Sequence, residues 1–540
     1  MTDPRTVVDL VGGGELGRCL TRLHHDRFTA ADTVVDPVAA DRIAAGRRWE
    51  AEVLAILLDG VDAAALRDAE QVPDAVAILL PEDLSRSRRE RLTLVALAAG
   101  ARLVLGGRLV SPDRNAVGEP DLLVRLDGGY APVEVKWHRV LDEDGLPARL
   151  SHLPDLWRCD GTGCFLPARS RDLVQIAHYR RLLEDHGVAS DAPVGGVIGT
   201  DPGPRCAWVD LTRGDPSPLA RADTALAEAV RTLAHGRTHP EHPLVPPLWR
   251  RECRDCPWRG PCRHHLETRD DVSLLPHVTP RIAARLVAAG IDTTTRLADL
   301  RPGTRLGGTR IPHEAVLEAR ARQAGTLLPR RRAVPDFASV TTEVDLDLET
   351  YHGTIYLAGL LTTSDAGTTY RPIADWTGTP AGEREVVREL FAAFDELAGG
   401  DAVVYHWTGY ERRMLRGAAA RHGLRLRSAP DVDAWFDRFA CDLWRWTKEH
   451  FVSPDGYSLK VVAPLCGFRW RDADPGGAQS ELWYAAALAG AADQRERILA
   501  YNEDDVVAQL AIRRWVRARR DGEGRDQTGR AEVPEGTGRG

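Results

Sequence analysis

Between Pro120 and Lys136 two short, mainly apolar runs flank a Gly-containing turn, which predicts a β-hairpin. Its strands are Leu122–Leu126 and Tyr130–Lys136, joined by an Asp127-Gly128-Gly129 turn. Helical spacing predicts segments over Leu16–Arg27, Ala39–Leu58 and Ser170–Glu184. In the second of these, Ile43, Val53, Leu54 and Leu57 form the apolar stripe, with Glu50 among them. Residues 272–300 read as short helices broken at Gly290. From Thr341 the pattern changes again. Glu343–Glu349 alternates strictly, with Val344, Leu346 and Leu348 on one face and Asp345, Asp347 and Glu349 on the other. A second strand over Ile355–Thr362, a helix over Glu383–Leu397, a strand over Ala402–Trp407 and a late helix over Arg495–Arg513 complete the predicted elements.

These shifts divide the chain into 1–265, a helical connector 266–335, a third domain 336–518 and a tail 519–540. The tail is charged and Gly-rich without apolar periodicity and is expected to be disordered. At 540 residues the chain is long enough for about three cores. The formal net charge of −8 gives no global basic field, which leaves only local Arg grooves for a nucleic-acid partner. No apolar run reaches the ~18 residues of a membrane span, and the first residues lack a signal-peptide pattern, so a cytoplasmic protein is expected. Abundant Ala, Arg and Gly with scarce Lys suggest a high-GC, bacterial coding bias.

Candidate chemistry gathers in three places. In the hairpin, Glu134 and Lys136 leave one face of a strand and Asp121 starts its partner, a set suited to a divalent cation and an oriented water. Only three of the 71 Lys and Arg residues are Lys (Lys136, Lys448 and Lys460), so a lysine here points to a need for a compact ammonium. Gln175 and Tyr179 share a helix face downstream. A second place is Cys253-Arg-Asp-Cys256-Pro-Trp-Arg-Gly-Pro-Cys262. Its thiols would serve Zn²⁺ with His264 or His265, or an iron–sulfur cluster with a fourth Cys from elsewhere. Cys159 and Cys164 are placed in a Gly-containing loop, and Cys206, Cys441 and Cys466 are expected to be buried thiols. The third place is the acidic face of Glu343–Glu349, where three carboxylates repel unless a cation lies between them. Glu411 opens a helix nearby in sequence, and Tyr501 and Asp505 share a face of the late helix.

Glu50, Gly-x-Pro-Asp121, Glu134-Val-Lys136 and Gln175-x-x-x-Tyr179 occur in the order of the RecB-type PD-(D/E)XK nucleases, which the first domain resembles. The resemblance implies that Glu50, Asp121 and Glu134 hold Mg²⁺ or Mn²⁺, that Lys136 positions the attacking water, and that Gln175 and Tyr179 support the site or contact DNA. Relatives with a cluster carry one Cys ahead of the nuclease core and three behind it. By that likeness Cys19, Cys253, Cys256 and Cys262 would hold a structural 4Fe–4S cluster, with Zn²⁺ as the alternative. Residues 272–300 resemble a helix-hairpin-helix module; a plain helical linker reads equally well. The third domain resembles the DEDD exonucleases of RNase H-like fold, Tyr subtype. That implies Asp347, Glu349, Glu411 and Asp505 as ligands of two metal ions and Tyr501 as the residue orienting water. Glu411 stands where most members have Asp, and Asp345 and Asp504 leave the register open by one choice each. The Tyr457-Ser-Leu-Lys460 segment also matches the subfamily and is expected near that site.

The whole chain resembles the bacterial RecB-like nucleases with a C-terminal exonuclease domain. The expectation is therefore an α/β multidomain protein: a restriction-endonuclease-like domain and an RNase H-like domain joined by a small helical module. It would be a metal-dependent DNA exonuclease in repair or defence. A different class, a nucleic-acid-binding scaffold without activity, is the alternative. So is a subunit of a helicase–nuclease complex, whose motor would be a separate chain because no phosphate-loop motif is present.

Overall fold

The computed structural model describes residues 9–30, 37–153, 155–167, 170–331, 333–473 and 476–528. The chain forms two compact units that divide between Pro247 and Leu248.

The first unit is built on a nine-stranded mixed sheet. From one edge its strands are Cys159–Leu166, Leu146–His152, Arg205–Asp210, Val194–Ile198, Gly129–Val135, Leu122–Leu126, Leu103–Leu105, Ala77–Leu79 and Ala63–Ala65. The expected hairpin lies near its centre, with Leu122 opposite Val133 and Leu126 opposite Gly129. Gly128 turns the corner at φ 76°, a conformation that glycine takes without steric cost. Gly129–Val135 runs parallel to Val194–Ile198, and the helix Arg171–Asp185 makes the crossover between them. Ser170 caps that helix, its hydroxyl accepting from the Asp172 N–H at 3.0 Å. Leu173, Ile176, Ala177 and Leu182 bury against one sheet face with Leu123, Tyr130 and Val197. Val53 and Leu57 of the helix Pro37–Leu58 bury with Leu122, Val124, Ala131 and Val133 of the other face. Covered on both sides, the hairpin reads as near-continuous apolar sequence.

Several local expectations change. The first helix starts at Leu20 rather than Leu16, with Cys19 as its N-terminal flanking residue. Cys159 and Cys164 lie on an edge strand and not in a loop, because register shifts absorb the glycines between them.

The second unit begins with Leu248, which packs with Val272, Leu275, Leu286 and Leu297 of the connector core. The cysteine loop therefore belongs to this unit: Cys253 lies in the turn Arg251–Asp255, Cys256 follows it, and Cys262 lies in the helix Arg259–Thr268. Helices Pro280–Ala288, Thr294–Ala298 and His313–Ala324 form the connector, with Gly290 at φ 76° at the first break. Arg330, at the end of the connector, is held by side-chain and backbone partners. Its guanidinium takes both carboxylate oxygens of Glu314 at 2.9 and 2.8 Å and donates to the Phe451 carbonyl at 3.0 Å.

Beyond it lies a five-stranded sheet in the order Gly367–Ala374, Thr354–Ser364, Thr342–Tyr351, Ala402–His406, Ala440–Asp442. The first three strands are antiparallel and the last two join in parallel. The edge strand Gly367–Ala374 escapes the periodicity, since most of its side chains are exposed and it lacks an apolar face. The final helix spans Ala492–Thr528, so the chain from 519 to 528 is helical where a disordered tail is expected from composition. Arginine is a good helix former, and Arg517 and Arg520 are tied by ion pairs to Glu343 and Asp336. Residues 529–540 lie outside the described residues.

Candidate active sites: two acid clusters

In the first unit the hairpin and the Arg171–Asp185 helix bring four of the expected residues, Glu134, Lys136, Gln175 and Tyr179, into one hydrogen-bonded group, with Asp121 tied to the strand backbone. Asp121 Oδ2 accepts from the Val135 N–H at 2.7 Å, which ties the start of one strand to the end of the other. Glu134 Oε1 accepts from Lys136 Nζ at 3.0 Å and from Gln175 Nε2 at 2.7 Å. Lys136 also donates to Gln175 Oε1 at 2.8 Å, and Gln175 Nε2 donates to the Tyr179 hydroxyl at 2.8 Å. The helical spacing of Gln175 and Tyr179 thus sets one amide between the ammonium, the carboxylate and the phenol. Gly13 lies against this group: a Cβ there would come within 2.8 Å of the Tyr179 ring.

Electrostatics adds the sixth residue. Burial pushes the Asp121 carboxyl well above the usual range, and the charges of Glu134 and then Glu50 push it further. Burial also raises Glu134, against the pull of Lys136. Glu50 is raised by burial and then by Glu82, with Arg47 and Lys136 opposing. The Tyr179 phenol is raised by burial and by Glu134. Glu134 Oε2 is buried and makes no hydrogen bond. A divalent cation fits such a place: it would ligate that oxygen and relieve the repulsion among the three acids.

In the second unit the central strand, Thr342–Tyr351, projects Asp347 and Glu349 toward Asp505 of the last helix, and oxygens of the three lie within 4.8 Å of one another. Among the described residues this is the one group of three metal-type ligands that comes so close. Burial and the charges of Asp505, Glu349 and Glu411 raise Asp347 well above its usual range. Burial, then Asp505, pushes Glu349 up to about 8. Glu411 opens the helix Tyr410–His422; burial raises its pKa, with His406 opposing at 3.4 Å. Glu411 Oε2, which is buried, has His406 Nδ1 at that distance and makes no hydrogen bond of standard geometry. Close carboxylates held against their own charge, one with a weakly partnered buried oxygen, fit a divalent cation here too.

The register left open by sequence is decided by partners. Asp345, fully buried, accepts from Arg513 Nη2 at 2.8 Å. Asp504 accepts from Arg471 Nε at 2.7 Å. Neither joins the cluster. Asp505 Oδ1 instead accepts from Trp470 Nε1 at 2.6 Å and pairs with Lys460 of the Tyr457–Lys460 segment. Tyr501 is buried against Trp483 and beneath Lys460, and burial raises its phenol, as do Asp505 and Glu349.

Three positioning residues have no signal in sequence. Asn502 donates to Asp347 Oδ2 at 2.7 Å, and Ser480 donates to Glu349 Oε2 at 2.5 Å. Gly359 lies opposite Asp347 on the neighbouring strand, and any Cβ there would overlap the Asn502 amide. A polar residue inside a helix looks the same in sequence whether it faces water or an acid.

Residues 344–517 match the family model RNase_H_2, of the RNase_H superfamily. The C-terminal domain is RNase H-like. Domains of this superfamily are typically metal-dependent nucleases, which supports, at a coarse level, phosphodiester hydrolysis on nucleic acid by this domain. No curated protein matches the chain. Among the described residues no helix is long and apolar enough to cross a membrane.

Proposed function

We propose that this protein is a metal-dependent nuclease, a cytoplasmic DNA exonuclease with one centre in each unit. The observation that carries the reading is the approach of Asp347, Glu349 and Asp505 to within 4.8 Å in an RNase H-like domain. These three, with Glu411, would hold Mg²⁺ or Mn²⁺, and Glu50, Asp121 and Glu134 would do so in the first unit. The bound ion supplies charge at the phosphoryl oxygens and acidifies a water.

The chain's own groups do the rest. Asn502 and Ser480 fix the rotamers of Asp347 and Glu349, so the ligand oxygens are set before substrate arrives. In the first unit Gln175 holds both Glu134 and Lys136, leaving the ammonium aimed beside the carboxylate to position a water. Tyr179 braces Gln175 from behind. Tyr501 is assigned to orienting water in the second centre. The first unit is read as a RecB-type PD-(D/E)XK nuclease, and Cys253, Cys256 and Cys262 of the second as ligands of a structural 4Fe–4S cluster, with Zn²⁺ as the alternative. Iron and labile sulfide in anaerobically purified protein, lost in Cys256→Ser, support the cluster; zinc without sulfide replaces it. A separate helicase chain would supply any motor, in repair or in defence.

The test is cleavage of end-labelled single- and double-stranded DNA with Mg²⁺ or Mn²⁺ and with EDTA. Wild type is compared with Lys136→Ala, Asp347→Ala and the double variant. Metal-dependent cleavage that survives each single change and disappears in the double shows two working centres. Loss in one single variant assigns the activity to that centre. Binding without cleavage under any metal leaves a scaffold.

A further inference from the structure

Arginine is the default cation of this chain, with three lysines among 71 Lys and Arg. Within the C-terminal domain the buried acids follow that rule: Arg513 meets Asp345, Arg517 meets Glu343 and Arg471 meets Asp504. Two lysines depart from it, and each lies on an acid cluster, Lys136 on Glu134 and Lys460 on Asp505. The third, Lys448, stands over the Trp444 ring at 4.8 Å.

Lys460 lies in a built socket. Its ammonium pairs with Asp505 Oδ1, the same oxygen that Trp470 Nε1 holds at 2.6 Å. The Trp470 ring lies 4.1 Å from Nζ and the Tyr501 ring 4.3 Å. Two aromatic faces and a carboxylate fix a point charge that a planar guanidinium would fill differently. The Lys460 side chain keeps 29% exposure while that of Asp505 keeps 8%, so the ammonium is on the open side of the carboxylate. An ammonium has three donors, and the Asp505 bond uses one.

We propose that Lys460 is a resident cation of this centre, taking the charge role that a second divalent ion has in a two-metal site, so that the centre binds one divalent ion before substrate arrives. The inference rests on reading these acids as a metal centre. Asp347, Glu349, Glu411 and Asp505 together carry four negative charges when ionised, and Lys460 is fixed against one of them. With Lys460 counted, one divalent ion leaves the group at a net charge of −1, while two would leave it at +1 before a phosphate is present to offset it.

Mn²⁺ counts per full-length chain, read by equilibrium dialysis and by the electron spin resonance of unbound Mn²⁺, test this. Four proteins are compared: wild type, Lys460→Met, Lys460→Arg and Asp347→Asn. The first-unit cluster and the cysteines are common to all, so differences between counts report this centre alone. Lys460→Met is expected to bind one more Mn²⁺ than wild type, Lys460→Arg the same number, and Asp347→Asn one fewer. Lys460→Gln, which keeps a polar tip, gives the extra ion if the Met variant folds poorly. An unchanged count in both neutral variants, or a loss of two ions in Asp347→Asn, overturns the inference and leaves the metal centre standing. No loss in Asp347→Asn removes the metal centre itself, and the inference with it.

Discussion

Asp345 and Asp347 leave the same face of one strand two residues apart, and the molecule uses them for opposite ends. Asp345 is sealed under Arg513, whose guanidinium also lies 4.0 Å over the Tyr405 ring. Asp347 is held by an uncharged amide and faces other acids. The consequence is a pH dependence. Burial holds Asp345 up to about 7 and Glu349 up to about 8, against ordinary values of 3.8 and 4.5. Between those ranges the native protein, stripped of metal, binds protons that the unfolded chain has released. Stability then falls as pH rises. In EDTA the urea midpoint of the second unit is expected to drop steadily from pH 5 to pH 8. Saturating Mn²⁺ should oppose the drop, because the ion favours the ionised carboxylates and its stabilisation grows over the same range. A flat midpoint in EDTA would show that these acids are not held protonated.

At the scale of elements, the last helix works as a ladder against the central strand. Tyr501, Asp505, Gln509, Arg513 and Arg517 recur every four residues and so share a helix face. Arg517 takes Glu343, Arg513 takes Asp345, Gln509 donates to the Leu346 carbonyl at 3.0 Å, and Asn502 reaches Asp347. The helix runs antiparallel to the strand, and these rungs set the height at which Asp505 meets Glu349. Arg513 is fully buried, so Arg513→Met leaves Asp345 as an unpaired interior acid and should cost about 3–5 kcal/mol in urea unfolding. Adding Asp345→Leu removes the orphan and should recover most of that loss, since an apolar pair can replace a buried ion pair at little cost. If the double variant is as unstable as the single, packing of the Arg513 stem and not its charge holds this rung.

For the whole molecule, the elements that carry the acids were the most legible part of the sequence. The 120–136 hairpin shows as two apolar runs around a glycine turn because both its faces are covered, the 343–349 strand alternates in sequence, and Gln175 and Tyr179 lie on a long capped helix. The parts that escaped are set by tertiary partners: Asn502, Ser480 and Gly359 around Asp347 and Glu349, and the arginines that withdraw Asp345 and Asp504. The strand through Cys159 and Cys164 escaped because its glycines read as a loop, and the helix beyond 518 because its charges find partners only after folding. The division at Pro247 yields a last prediction. Each unit has its own core and its own acid cluster, so urea should unfold the chain in two transitions. An ion that binds only the folded cluster stabilises by RT ln(1 + [L]/Kd), about 2.7 kcal/mol at a hundredfold excess over Kd. Mn²⁺ should therefore raise both transitions in wild type. Asp121→Asn should abolish the shift of one and Asp347→Asn the shift of the other, with each variant leaving its neighbour's shift intact. A single transition, moved by Mn²⁺ equally in both variants, would mean that the two units unfold as one.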